Sequence, residues 1–466
     1  MPTIDKRTWL LILASGAFWS WYDVATLNSP APDSALSAST LFALFSFTNL
    51  IFLGVAVGRP GTAQRLAADN RFVGAVGAAG AAATVAMALG YSLGSTVLSM
   101  VGFLFAGLVS GCLITQIAFT VGARGSRTVG CIVAASFIIE ALVSGAILAL
   151  DPLPHLVLAT ALPLVGAVLF IVFNRNNNAS RLSASEQGPL VQQRLIGGIG
   201  GVLLLALALY WFGCGYFEHW FTTSHQAAEG ALGASLLYAR GGAAALFLMA
   251  SVVLKWKQQN ILRLGLMIAV AGSMATPLAF QLEDASGLVG VIFMTGYTLF
   301  DIMSWVLLAN IAAYRRVAPV RTIGLGMLVS SVVMGAGTLM AQGIDSASAG
   351  HIVLSVSATL VSYGLVMGAL LALTDLSRIW NAGADEALDA REQEAREVHD
   401  LAHRYHLTAR EEDVLLELLT DDSIPAIAER LVVSKNTMNT HVKRIYTKFD
   451  VHSRTELTQL VREWLA

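Results

Sequence analysis

The strongest constraint on this chain is a series of twelve apolar runs, each of about 20 residues, within residues 1–373. A helix rises about 1.5 Å per residue, so a run of this length crosses the ~30 Å hydrocarbon core of a bilayer. We therefore predict twelve membrane-spanning helices. These spans, numbered 1 to 12 in chain order, cover roughly residues 9–27, 41–58, 72–91, 97–122, 128–150, 155–173, 195–217, 231–254, 261–280, 287–314, 322–341 and 351–373.

Charged residues divide the chain after Leu373. Only 13% of the whole chain is charged, whereas soluble domains contain about 25%. Residues 1–373 hold 17 Lys and Arg and 13 Asp and Glu, but the much shorter stretch 374–466 holds 12 and 18. We therefore predict a polytopic membrane domain over 1–373, embedded in a lipid bilayer, and a soluble region over 374–466.

The loops between the spans predict the topology. Alternate loops contain all the basic loop residues, which are Lys6, Arg7, Arg59, Arg65, Arg71, Arg124, Arg127, Arg175, Arg181, Arg194, Lys255, Lys257, Arg315, Arg316 and Arg321. The loops of the other set, residues 28–40, 92–96, 151–154, 218–230, 281–286 and 342–350, contain no Lys or Arg. Because positive charge stays on the cytoplasmic side, we expect both termini in the cytoplasm.

Two six-span halves, 1–173 and 195–373, are predicted on either side of a polar cytoplasmic linker, 174–194. A faint repeat supports this division, since Trp21-Tyr22-Asp23 ends span 1 and Tyr216-Phe217-Glu218 ends span 7. By span count, linker and repeat, the membrane domain resembles the major facilitator superfamily of transporters. The resemblance implies a transporter-like bundle with a central cavity.

One departure from that superfamily concerns the loop between spans 2 and 3. The superfamily carries an Asp-Arg pair there, but this loop reads Gly58-Arg59-Pro60-Gly61-Thr62-Ala63-Gln64-Arg65. The missing pair weakens the case for conventional transport.

Five charged residues lie within the predicted spans or directly at a span end, where charge is costly and commonly marks a functional site, and a sixth, Arg263, lies close enough to a cytoplasmic end to snorkel. The five are Asp23, Glu140, Glu218, Arg240 and Asp301. All five lie on spans that line the cavity in the resembling fold, so we predict that they form a pocket for a small-molecule ligand. A structural alternative stays open, in which Arg240 pairs with Glu140 or Asp301 and locks the halves together. We interpret the aromatic residues near the outer ends of spans 1 and 7 as an interfacial belt.

Motifs of catalysis are lacking in the sequence, which has no Walker A loop, H-E-x-x-H, G-x-S-x-G, kinase signature set or Cys/His metal cluster. We expect no enzyme activity, cofactor or metal. His219 and His225 are predicted to be exposed in an external loop, since their spacing matches no standard metal site. Cys112, Cys131 and Cys214 lie in spans, where we expect them to pack as small residues.

The soluble region begins with a predicted helical connector, residues 374–404, and continues with four short helices. Thr408 and Glu411 have the spacing of a capping box, and Ser453 and Glu456 repeat it at the last helix. Ser423 and Ser434 are predicted N-caps of the second and third helices. A turn of about three residues between those helices predicts a helix-turn-helix over 405–466.

The third helix is predicted to have two faces. Met438, Val442, Ile445 and Phe449 recur at helical spacing, so we expect them in the core. The opposite face carries the polar residues Lys435, Asn436, Asn439, Thr440, Lys443 and Arg444. Residues 435–454 contain five basic residues and one acidic residue, and this concentration of charge favours contact with phosphate.

A family resemblance covers residues 405–466. The run L-T-x-R-E-x-x-V-L from Leu407 is followed by I-A-x-x-L-x-V-S-x-x-T-M-x-x-H-V-x-x-I-Y-x-K-F from Ile427. Together these runs closely resemble the LuxR-type DNA-binding domain of bacterial regulators. The resemblance implies a bacterial cytoplasmic membrane, double-stranded promoter DNA as partner and a homodimer on DNA.

The resemblance also implies a role for each residue of the third helix, which would enter the major groove. Base-facing positions would be Asn439, Thr440 and Lys443, on the same polar face as Asn436. Phosphate contacts would come from Ser434, Lys435, Thr437, Arg444 and Lys448. We expect Asn439→Ala to relax sequence preference and Lys448→Ala to weaken binding to all DNA.

The sequence as a whole indicates an all-α protein with a twelve-helix membrane bundle and a small DNA-binding domain. Its expected function is that of a membrane-bound one-component transcription regulator, in which the bundle senses a small molecule. Two alternatives remain: an active transporter with an attached regulatory domain, and a bundle that serves only as a membrane anchor.

Overall fold

The computed structural model describes most of the chain. The described residues are 6–27, 38–122, 124–184, 201–227, 231–279, 286–314, 317–347, 350, 352–372, 401, 404–419, 427 and 435–465. Within them all regular secondary structure is helical. The chain forms two compact units, Met1–Leu376 and Ser377–Ala466.

The first unit is a bundle of long helices. Its helices are α1 (Lys6–Tyr22), α2 (Ala38–Gly58), α3 (Pro60–Ala68), α4 (Asn70–Ser92), α5 (Thr96–Val121), α6 (Ser126–Leu148), α7 (Pro152–Ala184), α8 (Gly201–Ala227), α9 (Ala231–Leu248), α10 (Gln258–Ala279), α11 (Ser286–Tyr314), α12 (Pro319–Ser346) and α13 (Ile352–Ala372). Each of the twelve predicted spans overlaps one of these helices within the described residues, so the predicted all-helical bundle is confirmed. Among the described residues, nine helices are long and apolar enough to cross a membrane, and the count is ten if the bent pair α2–α3 forms one span.

Some helix bounds differ from the predicted spans. Helix α8 continues to Ala227, ten residues past the predicted end of span 7, and α7 continues into the predicted linker as far as Ala184. Both extensions are polar, so hydropathy falls, but they contain no Pro or Gly that would end a helix. Helix α3 was not predicted. Pro60 occupies its first turn, and the chain bends there by 110° after α2.

The predicted halves, α1–α7 and α8–α13, meet where α2 packs on α12 and where α6 packs on α9 and α11. Polar contacts join the first of these pairs, since Asn49 donates to Ser331 Oγ over 3.3 Å and Gln342 donates to Thr40 Oγ1 over 3.1 Å. Hydrogen bonds of this kind between helices act together with close packing in the association of membrane helices.

Two helices of the bundle end in π-helical turns, which often occur at functional sites. Helix α1 continues into the turn Asp23–Leu27, so a predicted ligand-binding residue starts this irregular segment. Helix α9 continues into the turn Met249–Val253. There the carbonyl of Ser251 accepts a hydrogen bond from Arg127 at the start of α6, which joins the two halves at this end.

The second unit contains three described helices, α14 (Ala409–Leu418), α15 (Lys435–Phe449) and α16 (Arg454–Leu465). They enclose a core that includes the predicted inward residues of α15, and its buried members are Leu401, Val414, Leu415, Leu418, Ile427, Met438, Val442, Ile445, Phe449, Val451, Leu457 and Val461. The predicted capping box at Thr408 and Glu411 is present, and Ser453 Oγ accepts from the Glu456 amide. The predicted caps Ser423 and Ser434 and most of the predicted connector lie outside the described residues.

Candidate functional site

A buried arginine joins the two halves of the bundle. Arg240 on α9 forms ion pairs with Glu140 on α6, at 3.3 Å from Nη1 to Oε1, and with Asp301 on α11, at 3.7 Å from Nη2 to Oδ2. Glu140 is fully buried, and Asp301 and Arg240 are only 6% and 9% exposed. The structure therefore shows the pairing that the sequence left open as an alternative.

Aromatic rings surround this guanidinium. The Cζ atom of Arg240 lies 4.2 Å from the ring centroid of Phe137 and 5.9 Å from that of Trp19. Trp19 also meets Trp305 edge-on, with ring centroids 6.5 Å apart. A cation over aromatic faces in a desolvated site is favourable by about 2 kcal/mol. Arg240 therefore lies in a box with aromatic walls and acidic ends.

Asp23 and Glu218 extend the acidic cluster. Both carboxylates interact electrostatically with Arg240, and Asp23 is only 6% exposed. The structure therefore brings together all five charged residues that the sequence singled out. We refer to Asp23, Glu140, Glu218, Arg240 and Asp301 as the charge cluster.

The aromatic residues near Asp23 and Glu218 do not form an interfacial belt, so that interpretation was wrong. Trp21, Tyr210, Tyr216 and Trp220 are at least nine-tenths buried inside the bundle. Tyr216 hydrogen-bonds with Ser357 over 2.6 Å, and the Trp21 indole donates to Thr84 over 2.8 Å. Hydropathy gives the depth of a residue along a span but not the side of the helix that it occupies, which explains the error.

Several buried polar atoms around Arg240 have no hydrogen-bond partner in the part of the chain that the structure describes. They are Nε of Arg240, both carboxylate oxygens of Glu140, Oγ of Ser144 and Nε1 of Trp305. Ser144 follows Glu140 by one helical turn, and Trp305 follows Asp301 by one turn, so both flank the cluster. The site therefore has donors and acceptors that its own ion pairs do not use.

His219 was predicted to be an exposed loop residue, and that prediction was wrong. It lies inside the extended helix α8, is 4% exposed and lies 3.3 Å from Asp345 Oδ2 on α12. The error followed from ending span 7 too early. The side chain of His225 lies outside the described residues, and the described residues contain no group of three metal-ligating side chains.

The exposed face of α15 is the candidate DNA-binding surface. Met438 and Ile445 are buried against the core, whereas the described polar residues on the opposite face are exposed, namely Asn436, Thr437, Asn439, Thr440, Lys443 and Arg444. Ser434 and the side chain of Lys435 lie outside the described residues. The face offers amide and hydroxyl groups and the Lys443 ammonium for base edges, and the Arg444 guanidinium for phosphates.

Two of the basic residues counted in the sequence have partners inside the domain. Lys448 Nζ donates to Glu411 Oε2 over 2.8 Å and to the His406 carbonyl over 2.7 Å. Arg454 Nε donates to the Leu418 carbonyl at the end of α14 over 2.9 Å. A phosphate contact of Lys448 stays a prediction, but the structure adds a role that the sequence did not indicate.

Glu411 connects the capping box to Lys448. Its Oε2 accepts from the Thr408 amide over 2.8 Å as well as from Lys448. Burial alone would raise the pKa of this carboxyl, but the hydrogen bonds from Lys448 and Thr408 outweigh burial and lower the pKa to about 2. Glu411 is therefore ionised at neutral pH and holds α14 against the end of α15.

Comparison with known proteins shows the class of the C-terminal domain. Residues 405–461 match the family of bacterial regulatory proteins named luxR, so this segment is a LuxR-type DNA-binding domain. The Probable transcriptional regulatory protein NarL of Mycobacterium tuberculosis, in strains CDC 1551 / Oshkosh and ATCC 25618 / H37Rv, is 48% identical over 48 residues. Those residues are 10% of this chain and 22% of the relative, so the chain spans about a fifth of the curated relatives that it matches.

The membrane bundle has the fold of major facilitator transporters. A bacterial homologue of the iron transporter ferroportin, in an outward-facing state, superposes with a TM-score of 0.58 at 14% identity and covers 80% of this chain and 100% of its own. The proton:xylose symporter XylE, a major facilitator superfamily protein, superposes with a TM-score of 0.56 at 12% identity and covers 79% of this chain and 95% of its own. At these identities the likeness concerns the fold.

Proposed function

We propose that this chain is a membrane-bound one-component transcription regulator of the bacterial cytoplasmic membrane. One observation carries the proposal: a single chain joins a LuxR-type domain, with an exposed polar face on α15, to a membrane bundle with a buried charge cluster. In this proposal both termini are cytoplasmic, the bundle binds a small molecule, and the domain binds promoter DNA as a homodimer.

Ligand binding in the bundle is proposed to act through the junction of the two halves. Glu140 belongs to the first half, and its partner Arg240 belongs to the second. A ligand that changes this ion pair changes how the halves pack, since a packed interface has discrete arrangements and does not deform continuously. The resulting shift would favour or oppose dimerisation of the DNA-binding domains.

Mapping the chromosomal sites occupied by the tagged full-length protein tests the regulator proposal. We expect occupancy at a small set of promoters, which the double substitution Asn439→Ala and Lys443→Ala abolishes. Thr455→Ala is the control, because Thr455 is exposed in the same domain but lies on α16, outside the candidate surface. Occupancy that the double substitution leaves unchanged would contradict the proposal.

A second candidate function is transport with an attached regulatory domain, which the fold of the bundle favours. Uptake assays in proteoliposomes containing the full-length protein separate transport from sensing. A transporter moves the compound to which promoter occupancy responds across the bilayer, whereas a sensor binds that compound without moving it.

A third candidate is a bundle that only anchors the domain. If it is correct, replacing residues 1–373 with an unrelated membrane anchor will leave regulation unchanged.

A further inference from the structure

We propose that the charge cluster recognises a small organic cation, and that the Arg240 guanidinium occupies the position of that cation in the structure described here. The ligand would compete with Arg240 for Glu140 and Asp301. The inference about ligand class concerns binding alone. Its consequence for DNA rests on the proposed regulator function.

The first argument is the charge of the cluster. Glu140 and Asp301 pair with one guanidinium, and Asp23 and Glu218 also interact with it electrostatically. Within the predicted spans the only other Lys or Arg is Arg263, whose side chain is exposed on α10. The cluster therefore offers more acidic groups than its own single cation can pair with. Buried charge is stable only when it is paired or neutralised, so a cation gains more from this site than a neutral or anionic molecule of the same shape.

The second argument is the shape of the box around Arg240. The guanidinium carbon lies 4.2 Å from the ring centroid of Phe137 and 5.9 Å from that of Trp19. Two carboxylates approach its terminal nitrogens. Aromatic faces with acidic ends suit a cationic head group with an apolar body. The walls are already ordered, which reduces the entropic cost of binding.

The third argument is hydrogen-bonding capacity. Within the described residues, Arg240 Nε and Trp305 Nε1 have no acceptor, and the Glu140 oxygens have an ion pair but no hydrogen bond. Trp305 is fully buried and Arg240 is nine-tenths buried. Buried polar groups are normally paired, so such a concentration at one place points to a binding function. An N–H-bearing cation would satisfy Glu140, and a polar substituent on it would accept from Trp305.

Displacement of Arg240 would also release a link between the halves. Glu140 on α6 would bind the ligand, and Arg240 on α9 would keep only its partner Asp301 within its own half. Ligand binding would therefore exchange a contact between halves for contacts to the ligand. This exchange gives the differential interaction that a ligand needs in order to shift a conformational equilibrium.

Chemical complementation tests the requirement for positive charge. Arg240→Ala removes the internal cation, and ethylguanidinium replaces the missing atoms, whereas ethylurea has nearly the same shape without the charge. In the full-length protein in nanodiscs, we expect ethylguanidinium, but not ethylurea, to raise the melting temperature of Arg240→Ala. Arg263→Ala should respond to neither compound. Equal stabilisation of Arg240→Ala by both compounds, or by neither, would overturn the proposal.

The wild-type protein provides the second test, which does not depend on the stability of a variant. Benzylguanidinium carries the same cationic head with an aromatic body, and benzylurea is its neutral counterpart. We expect saturable binding of benzylguanidinium, detected by tryptophan fluorescence because Trp19 and Trp305 adjoin the site, and at least about tenfold weaker binding after Glu140→Gln. Lack of binding to the wild type would show that Arg240 is a permanent structural counter-charge, and would refute the ligand proposal.

The two proposals fail in different ways. If benzylguanidinium binds to the bundle but leaves promoter occupancy unchanged, the site recognises cations and the regulator proposal loses its sensing step. If promoter occupancy depends on the α15 surface while benzylguanidinium does not bind, the DNA-binding function stands and the cation site does not.

Discussion

Lys448 and Glu411 form an ion pair with 2.8 Å between Nζ and Oε2, which connects the end of the candidate recognition helix to the start of α14. The same oxygen accepts from Thr408, and the same ammonium donates to the His406 carbonyl. Lys448 lies in the last turn of α15, where a cation is favoured by the helix dipole. One side chain therefore supports the cap of one helix and the end of another.

Removal of Lys448 should destabilise the C-terminal domain. In Lys448→Met the Glu411 carboxylate, only 2% exposed, loses its cation, which costs roughly 2–3 kcal/mol. Thermal unfolding of a fragment covering residues 377–466 measures this cost. Lys443→Met is the matched control, because Lys443 is exposed on the same helix, and its melting temperature should stay close to that of the wild type.

The stability of the same domain should depend on pH through Glu411. Its pKa is lowered to about 2 in the folded domain, whereas an unfolded Glu has a pKa of about 4.3. The stabilisation is therefore fully present above about pH 4.3 and is lost as the pH falls toward 2. Urea unfolding at several pH values should show this loss for the wild type. Glu411→Gln should show a smaller dependence over the same range, and an unchanged dependence would contradict the assignment.

The capping box was predictable from the sequence, but the Lys448 contact was not. Thr408 and Glu411 are three residues apart, and a local motif of this kind can be recognised from spacing alone. Lys448 is 37 residues from Glu411, so their contact depends on how the helices pack. In the sequence Lys448 is one basic residue among several on a predicted DNA-binding helix, and nothing in its spacing indicates an internal partner.

In the membrane bundle, too, the sequence predicted local features but not the contacts that depend on how the helices pack. Hydropathy predicted the twelve helices because the bilayer requires a minimum apolar length. It failed at polar helix ends, where α8 continues past Glu218 and buries His219. The cost of intramembrane charge singled out the charge cluster, but the ion pair between Arg240 and Glu140 depends on the contact of α6 with α9.

Topology can be tested by labelling introduced cysteines in a variant whose three native cysteines are replaced by Ala. Leu93 lies between α4 and α5 and is 71% exposed, and Gly125 lies between α5 and α6 with open space around it. With the N-terminus in the cytoplasm, a membrane-impermeant maleimide should label Leu93→Cys in intact cells. It should label Gly125→Cys only after permeabilisation, and the opposite pattern would reverse the predicted orientation.

Close contact of α8 with α12 should make Gly215 and Gly337 intolerant of substitution. A Cβ on Gly215 would lie 2.1 Å from the Met334 carbonyl oxygen, and one on Gly337 would lie 2.2 Å from that of Phe212. Because backbone atoms cannot move aside cheaply, Gly215→Ala should lower stability by about 2 kcal/mol or more. Gly343→Ala is the control on α12, since nothing lies within 4 Å of its added Cβ. Melting temperatures in detergent compare the two variants.

DNA-binding assays should distinguish the residues of α15 that contact phosphates from those that contact bases. Arg444 is exposed, and as a phosphate contact its replacement by Ala should weaken specific and non-specific binding alike. The slope of log affinity against log salt should then fall by about 0.9. Asn439→Ala should leave that slope unchanged and cost about 1–3 kcal/mol on the specific site alone. Fluorescence anisotropy with a mapped promoter and a scrambled duplex measures both quantities.

Lys448→Ala distinguishes the two roles of Lys448 in the same assay. If its ammonium contacts a phosphate, the salt slope should fall by about 0.9, as for Arg444→Ala. If it acts through Glu411 and His406, the slope should stay at the wild-type value, and weaker binding should follow the loss of domain stability. We expect the second result, because both hydrogen bonds draw the ammonium toward the domain. Glu411→Gln should then weaken DNA binding in parallel, although a carboxylate cannot itself attract phosphate.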